Sequence, residues 1–154
     1  MSPLPMAGTL TAGAIRSAAG DDARALFALS APFVRSGALR LRSLADYRSA
    51  AADFLVSPGA AGLAGCVALR TLPGGATALY NFCVHRAGQG GGLGSELLGA
   101  VLRRADGRPV YTATTGSARL FLHHGFTEIP TRLAPPAWAA ALDPARNSRV
   151  YLRT

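Results

Sequence analysis

The chain has 154 residues, enough for one domain with a sizeable core, and 49% of them are apolar, which excludes an intrinsically disordered chain. All 16 basic residues are Arg, set against 8 acidic ones, for a net charge of +8. The arginines are scattered, with only Arg103 and Arg104 adjacent and no interleaved aromatic run, so the charge suits a polyanionic small ligand better than a nucleic acid.

Residues 1–8, with Pro3 and Pro5, are expected to form a flexible tail, and residues 9–154 a single domain. No charged leader or membrane-length apolar stretch is present, and the expected location is cytoplasmic. A first strand is predicted over 9–18. Asp21 and Asp22 put negative charge at the start of a helix carrying Leu26, Leu29 and Phe33 on one stripe. Pro32 is expected to disturb its last turn and Gly37 to stop it. Ser43 followed by Asp46 reads as a capping box opening a second helix. Strands are predicted at 54–56, ended by a Pro58-Gly59 turn, at 63–72, and at 77–85, which is apolar on both faces and therefore central. A glycine-rich loop over 88–94 leads into a helix with Leu93, Leu97, Leu98, Val101 and Leu102. A strand at 109–114, a short helix at 117–124 stopped by Gly125, and strands at 126–129 and 150–153 complete the chain, the last two separated by a proline-rich arm around Trp138. Seven strands and four helices in this order predict an α/β fold, a mixed sheet with helices on both faces.

The chemistry concentrates where the central strand meets the glycine loop, Gln89-Gly90-Gly91-Gly92-Leu93-Gly94. Free N–H groups at a helix N-terminus bind phosphate, and glycines allow close approach and positive φ. A Walker loop requires Lys, and the chain has none. A dinucleotide fold wants a carboxylate about 20 residues on, where Thr112 to Thr115 offer none. Cys66 and Cys83 lie in apolar strands and read as buried thiols. Cys83 and His85, two apart on a strand, share a face, which leaves a nucleophile–base pair open as an alternative. With His123 and His124 they show no zinc spacing, so no metal site is expected.

The loop matches the acetyl-CoA signature of the GNAT superfamily, Arg/Gln-x-x-Gly-x-Gly/Ala, and Phe121 followed by Gly125-Phe126 resembles its second signature. Within that superfamily the chain resembles the acetyltransferase domain of N-acetylglutamate synthase in its short bacterial form. The likeness is carried by Gly37-Ala-Leu-Arg-Leu-Arg-Ser43, Asp53-Phe-Leu-Val56, Thr114-Thr-Gly-Ser117 and Arg146-Asn-Ser-Arg149. Ala78-Leu79 is similar instead to the arsenic-resistance-associated acetyltransferases.

The resemblance implies direct transfer of acetyl from acetyl-CoA to the amine of a small molecule such as glutamate, a place in arginine biosynthesis, and a homodimer. It assigns acetyl-CoA to Phe82, Cys83, Val84, Gln89, Gly90, Gly91, Gly92, Leu93, Gly94 and Ser95, and the acceptor carboxylates to Arg42, Arg146 and Ser148. The family's usual Glu falls at Ala78 or Leu79 and its usual Tyr at Phe121, so both are missing. Asn81 is left as a group that could orient a water and Ser117 as the proton donor to the leaving thiolate. A degenerate CoA-binding domain without catalysis stays open on the same observation.

Overall fold

The computed structural model describes residues 15–154. The expected tail at 1–8 and most of the expected first strand lie outside the described residues. That strand is seen as β1, Arg16–Ser17. Asp22 accepts from the Ala19 N–H at 2.8 Å and closes a turn that launches α1, Ala23–Arg35. Pro32 does not end this helix: the chain continues to Arg35, with Ser36 N–H still donating to the Pro32 carbonyl at 3.1 Å. The capping box forms as expected, Ser43 N–H to Asp46 Oδ2 at 2.8 Å and Asp46 N–H to Ser43 Oγ at 3.0 Å, and starts α2, Leu44–Ser49.

Strand β2, Phe54–Gly59, runs through the Pro58-Gly59 pair that was expected to turn. A bulge between Ser57 and Pro58 shifts the register, and bulges are one of the few places a sheet accepts proline. The sheet continues with β3, Gly62–Thr71, and β4, Thr77–Val84. After the glycine loop come α3, Leu93–Ala105, then β5, Val110–Thr114, α4, Arg119–His123, and β6, Thr127–Ile129. The proline-rich arm holds a short helix that the sequence did not suggest, α5, Pro136–Ala140, before β7, Arg149–Arg153.

Among the described residues the seven strands form one sheet in the order β1-β2-β3-β4-β5-β7-β6. Only β4 and β5 are parallel, and their backbones pair only at Thr77 with Val110 and Ala78 with Tyr111. One step on, the Thr112 hydroxyl donates to the Leu79 carbonyl at 3.1 Å in place of a ladder bond. Beyond it the strands separate.

Two apolar clusters cover the faces. Leu97, Leu98, Val101 and Leu102 of α3 pack with Phe121 and Phe126 on one face, and Leu26, Leu29, Tyr47 and Phe54 pack on the other. Strand β4 feeds both, Phe82 and Val84 to the first and Cys83 to the second. Its alternation is reset at Asn81: Cys66 opposes Cys83 while Ala68 opposes Tyr80, so β4 carries an extra residue. Asn81 sits there in the left-handed region, φ 49°, where Asn is among the few tolerated non-glycine residues.

Candidate active site

Where β4 and β5 part, a cavity of about 590 Å³ opens between them. Its walls are the C-terminal half of β4, residues 112–114 of β5, the start of the glycine loop, and Ser117 to Phe121, with Phe33, Ala38 and Leu39 closing one end. The β4 wall presents strand backbone that β5 no longer pairs with, which is an edge able to hydrogen-bond an extended ligand.

The loop is shaped by its glycines. Gly90 has φ 89° and Gly92, the residue before α3, φ 88°, both strained for any side chain. Among the described residues, the N–H groups of residues 90–95 find no intramolecular acceptor, the first intrahelical bond being Glu96 N–H to the Gly92 carbonyl at 3.0 Å. Thirteen residues of aligned peptide dipoles stand behind them. Gln89 ties the loop to the strand, its Nε2 donating to the Val84 carbonyl at 3.0 Å. Gly94 lets α3 approach β4: a Cβ there would lie 3.2 Å from Leu120 Cδ2 and 3.7 Å from Phe82 Cζ. Leu93 packs into the α3 cluster, so only its backbone faces the loop. Ser95 Oγ lies 2.8 Å from His124 Nε2, a partner that sequence reasoning missed.

A second, smaller cavity of about 120 Å³ adjoins the first across Leu79, Asn81 and Ala113. It brings together Arg42, from the segment before α2, with Arg146 and Ser148, from the segment before β7, and adds Arg40 and Arg70, which the sequence did not single out. Trp138, its ring tilted against Tyr111 with centroids 5.9 Å apart, supplies one wall. Arg146 Nη2 donates to the Ala38 carbonyl at 3.2 Å. Arg42 lies over the Tyr80 ring, 4.9 Å from its centroid, and donates to Asn81 Oδ1 at 3.4 Å. Burial pulls the Arg42 pKa down, against the opposing influence of Tyr47 and Tyr80. Tyr80 points its hydroxyl at Asp53 Oδ2, and burial first, then that bond, push its pKa up. The ion pairs among the described residues are Arg16–Asp22 and Arg149–Glu128, so none of the four cavity guanidiniums is paired with a carboxylate.

Two expectations about side chains change. Asn81 is not free to orient a water: it is 4% exposed and its amide is spent on Tyr47, Arg42, Ser30 and Cys66. Cys83 and His85 do not pair. The Cys83 thiol points into the core, 3.8 Å from Cys66 Sγ, whereas exposed His85 lies past the strand and accepts from Ala87 N–H at 3.1 Å. The bond to Cys83, then burial, hold the Cys66 thiol well above its ordinary pKa.

Ser117 stands on the cavity rim, its Oγ accepting from Arg119 N–H at 3.3 Å and keeping its own proton. Thr114, which sequence reasoning passed over, does the same with Gly116 N–H at 3.2 Å. Phe121 is buried between Phe82 and Phe126, with ring centroids at 5.8 and 5.3 Å, and offers no hydroxyl. Among the described residues no group of three or more metal-ligating side chains gathers anywhere.

The family model for the acetyltransferase (GNAT) domain matches residues 50–128, from the end of α2 through the glycine loop to β6. The chain belongs to the GNAT acetyltransferase family. A solved structure similar to this GNAT chain is N-acetylglutamate synthase from Neisseria gonorrhoeae, complexed with coenzyme A and N-acetyl-glutamate. That likeness has 25% identity and a TM-score of 0.85, and covers 91% of this chain and 34% of the synthase. The chain thus spans about a third of that enzyme's length. A Mycobacterium tuberculosis protein solved with CoA aligns over 92% of this chain and 98% of its own, at 20% identity and TM-score 0.78. Diaminobutyrate acetyltransferase from Paenibacillus lautus, with its substrate and coenzyme A, aligns over 90% and 92%, at 15% identity and TM-score 0.67. These last two show the shared GNAT fold alone. Among curated proteins, a sequence search finds no match.

Proposed function

We propose that this GNAT domain transfers acetyl from acetyl-CoA to the α-amine of glutamate or a similar acidic amino acid. The observation that carries the proposal is the set of four guanidiniums without carboxylate partners in a small cavity opening onto the β4–β5 cleft. Of the four, Arg42 and Arg146 are half-buried and Arg40 and Arg70 exposed; half-buried cations without partners are costly, and planar guanidinium forks match carboxylates. The similar Neisseria synthase is complexed with CoA and N-acetyl-glutamate, which supports the same pairing of sites here.

The cleft's features fit the donor. The unpaired N–H groups at the start of α3 suit a pyrophosphate, and the free edge of β4 suits an amide-bearing arm. Backbone N–H groups of that edge polarise the thioester carbonyl and stabilise the negative oxygen formed on attack. Arg42 and Arg146 hold the acceptor's carboxylates so that its amine enters the cleft beside Leu79 and Asn81. No carboxylate stands at residues 78 and 79, so the amine's proton leaves through water. Ser117 passes a proton to the departing thiolate and takes its replacement from the water that receives the amine's proton.

The missing Glu and the Phe121 ring favour a second reading, a domain that binds CoA without turnover. Thiol release from acetyl-CoA in the presence of each of the twenty amino acids and arginine-pathway intermediates, with mass spectrometry of the products, separates the two. Release only with acidic amino acids supports transfer; release with neutral or cationic amines alone removes the acceptor assignment; no release with any amine supports the binding domain.

A further inference from the structure

The geometry points to Asn81 as the positioning residue that fixes Arg42 and, through it, which acceptor the cavity takes. Asn81 is the extra residue of the β4 bulge, and it lines both the donor cleft and the acceptor cavity. Its Oδ1 accepts from the Tyr47 hydroxyl at 3.1 Å and from Arg42 Nη1 at 3.4 Å. Its Nδ2 donates to Ser30 Oγ at 3.0 Å and to Cys66 Sγ at 3.6 Å, and its carbonyl accepts from the Cys66 thiol at 3.2 Å. Every polar atom of the side chain is therefore engaged, with partners from α1, α2, β3 and the segment before α2. Few residues could take this place. It demands a left-handed φ, which excludes most side chains, and both a donor and an acceptor end, which excludes glycine.

Arg42 has only two holds among the described residues, the Tyr80 ring beneath it and Asn81 Oδ1 beside it. A long guanidinium side chain loses considerable rotamer entropy when held, so removing one of two holds releases it. Because the same residue makes the bulge that turns the Phe82–Val84 edge toward the cleft, Asn81 sets acceptor cation and donor strand in one frame. The functional consequence rests on the acceptor reading given above; the placement of Arg42 does not.

The test uses Asn81→Gly, which keeps the left-handed backbone and deletes the amide, with Arg42→Ala and the double variant. The readouts are acceptor KM and kcat, acetyl-CoA Kd by calorimetry, and the ¹⁵N–¹H guanidinium signal of Arg42, identified by its loss in Arg42→Ala. In the wild type that signal should stand apart from those of the exposed arginines, and in Asn81→Gly it should merge with them. Acceptor KM should rise about tenfold, as for a lost charge-assisted hydrogen bond. The acetyl-CoA Kd should move less than about twofold, and the double variant should be no worse than Arg42→Ala, since the two act as one unit. An Arg42 signal unmoved in Asn81→Gly, or effects that multiply in the double variant, would overturn the inference. A wild type that acetylates no acidic amino acid would end the acceptor reading, while the Arg42 signal would still decide the placement. If Asn81→Gly is too unstable to assay, Asn81→Asp serves: its carboxylate should keep the Arg42 signal distinct yet raise acceptor KM by neutralising the cation. An unchanged KM there would equally sink the proposal.

Discussion

Gly92 allows the anion-binding role of the loop to be separated from its shape. The residue precedes α3 with φ 88°, and a Cβ added there meets nothing within 4 Å. A substitution therefore carries a conformational cost, about 1–2 kcal/mol for an ordinary side chain and less for Asn or Asp, which tolerate this region. Gly92→Asn and Gly92→Asp share that cost and differ in one charge. At about 5 Å a unit charge repels a phosphate charge by about 0.8 kcal/mol in water and about 3 kcal/mol at an effective dielectric of 20. On a largely exposed loop facing the two charges of a pyrophosphate, about 1.5–2 kcal/mol is the expected difference, roughly 10- to 30-fold in Kd. Calorimetric titration of both variants with acetyl-CoA should show that gap at about 0.05 M salt and a smaller one at about 0.5 M. Acetyl-pantetheine, which has no pyrophosphate, should not distinguish them. Equal acetyl-CoA affinity of the Asn and Asp variants at low salt would refute a phosphate-binding loop.

Arg146→Ala should weaken the acceptor term by roughly 10- to 150-fold with the acetyl-CoA term nearly unmoved, and Arg146→Lys should be a poor substitute because an ammonium lacks the planar fork. Cys83→Ala should retain appreciable activity with sequential kinetics; a stable acetyl-Cys83 found by mass spectrometry would contradict direct transfer. His124 is held below its ordinary pKa of 6.5, by partial burial first and then by His123 and Arg153. Its neutral form is thus favoured by folding, and its contribution to stability, complete above pH 6.5, is lost as the pH falls below that value. Melting midpoints from pH 7 to 5 should decline less steeply in His124→Gln, and parallel curves would rule the histidine out. Gly65→Ala should destabilise the fold by about 1–3 kcal/mol in urea titrations, because its Cβ would come within 2.7 Å of fully buried Leu97.

Local signals were legible and long-range closures were not. Ser43 and Asp46 announced their helix because a capping box is complete within four residues. The Leu97, Leu98, Val101 and Leu102 stripe gave α3 and its buried face for the same reason. The family resemblance added Arg42, Arg146 and Ser148, which do meet in one cavity. Arg40 and Arg70 join them only because α1 leads into a loop beside β3 and β4, a meeting that no spacing along the chain encodes. Asn81 read as a strand residue facing the chemistry; the bulge rotates it into a hydrogen-bonded core position, and that depends on partners up to 51 residues away. Proline at 58 misled in the opposite sense, since the bulge that accommodates it is a property of the pairing with β3 rather than of the tripeptide.

The narrow pairing of β4 with β5 has a mechanical consequence. Two backbone register pairs and two threonine hydroxyls, Thr77 to the Pro109 carbonyl and Thr112 to the Leu79 carbonyl, join the β1–β4 half of the sheet to the β5-β7-β6 half. Such a seam is where sub-global opening is cheapest, so amides of β5 to β7 should exchange with solvent as a group before those of β2 and β3. An extended ligand lying along the free edge of β4 acts as a splint across this seam. It stabilises the joined state by RT ln(1 + [L]/Kd), about 2.7 kcal/mol at a hundredfold excess over Kd, and slows the exchange of the far lobe even though it touches little of it. The wear of the protein in dilute solution, its proteolysis and its ageing, is then governed by how fully the cleft is occupied.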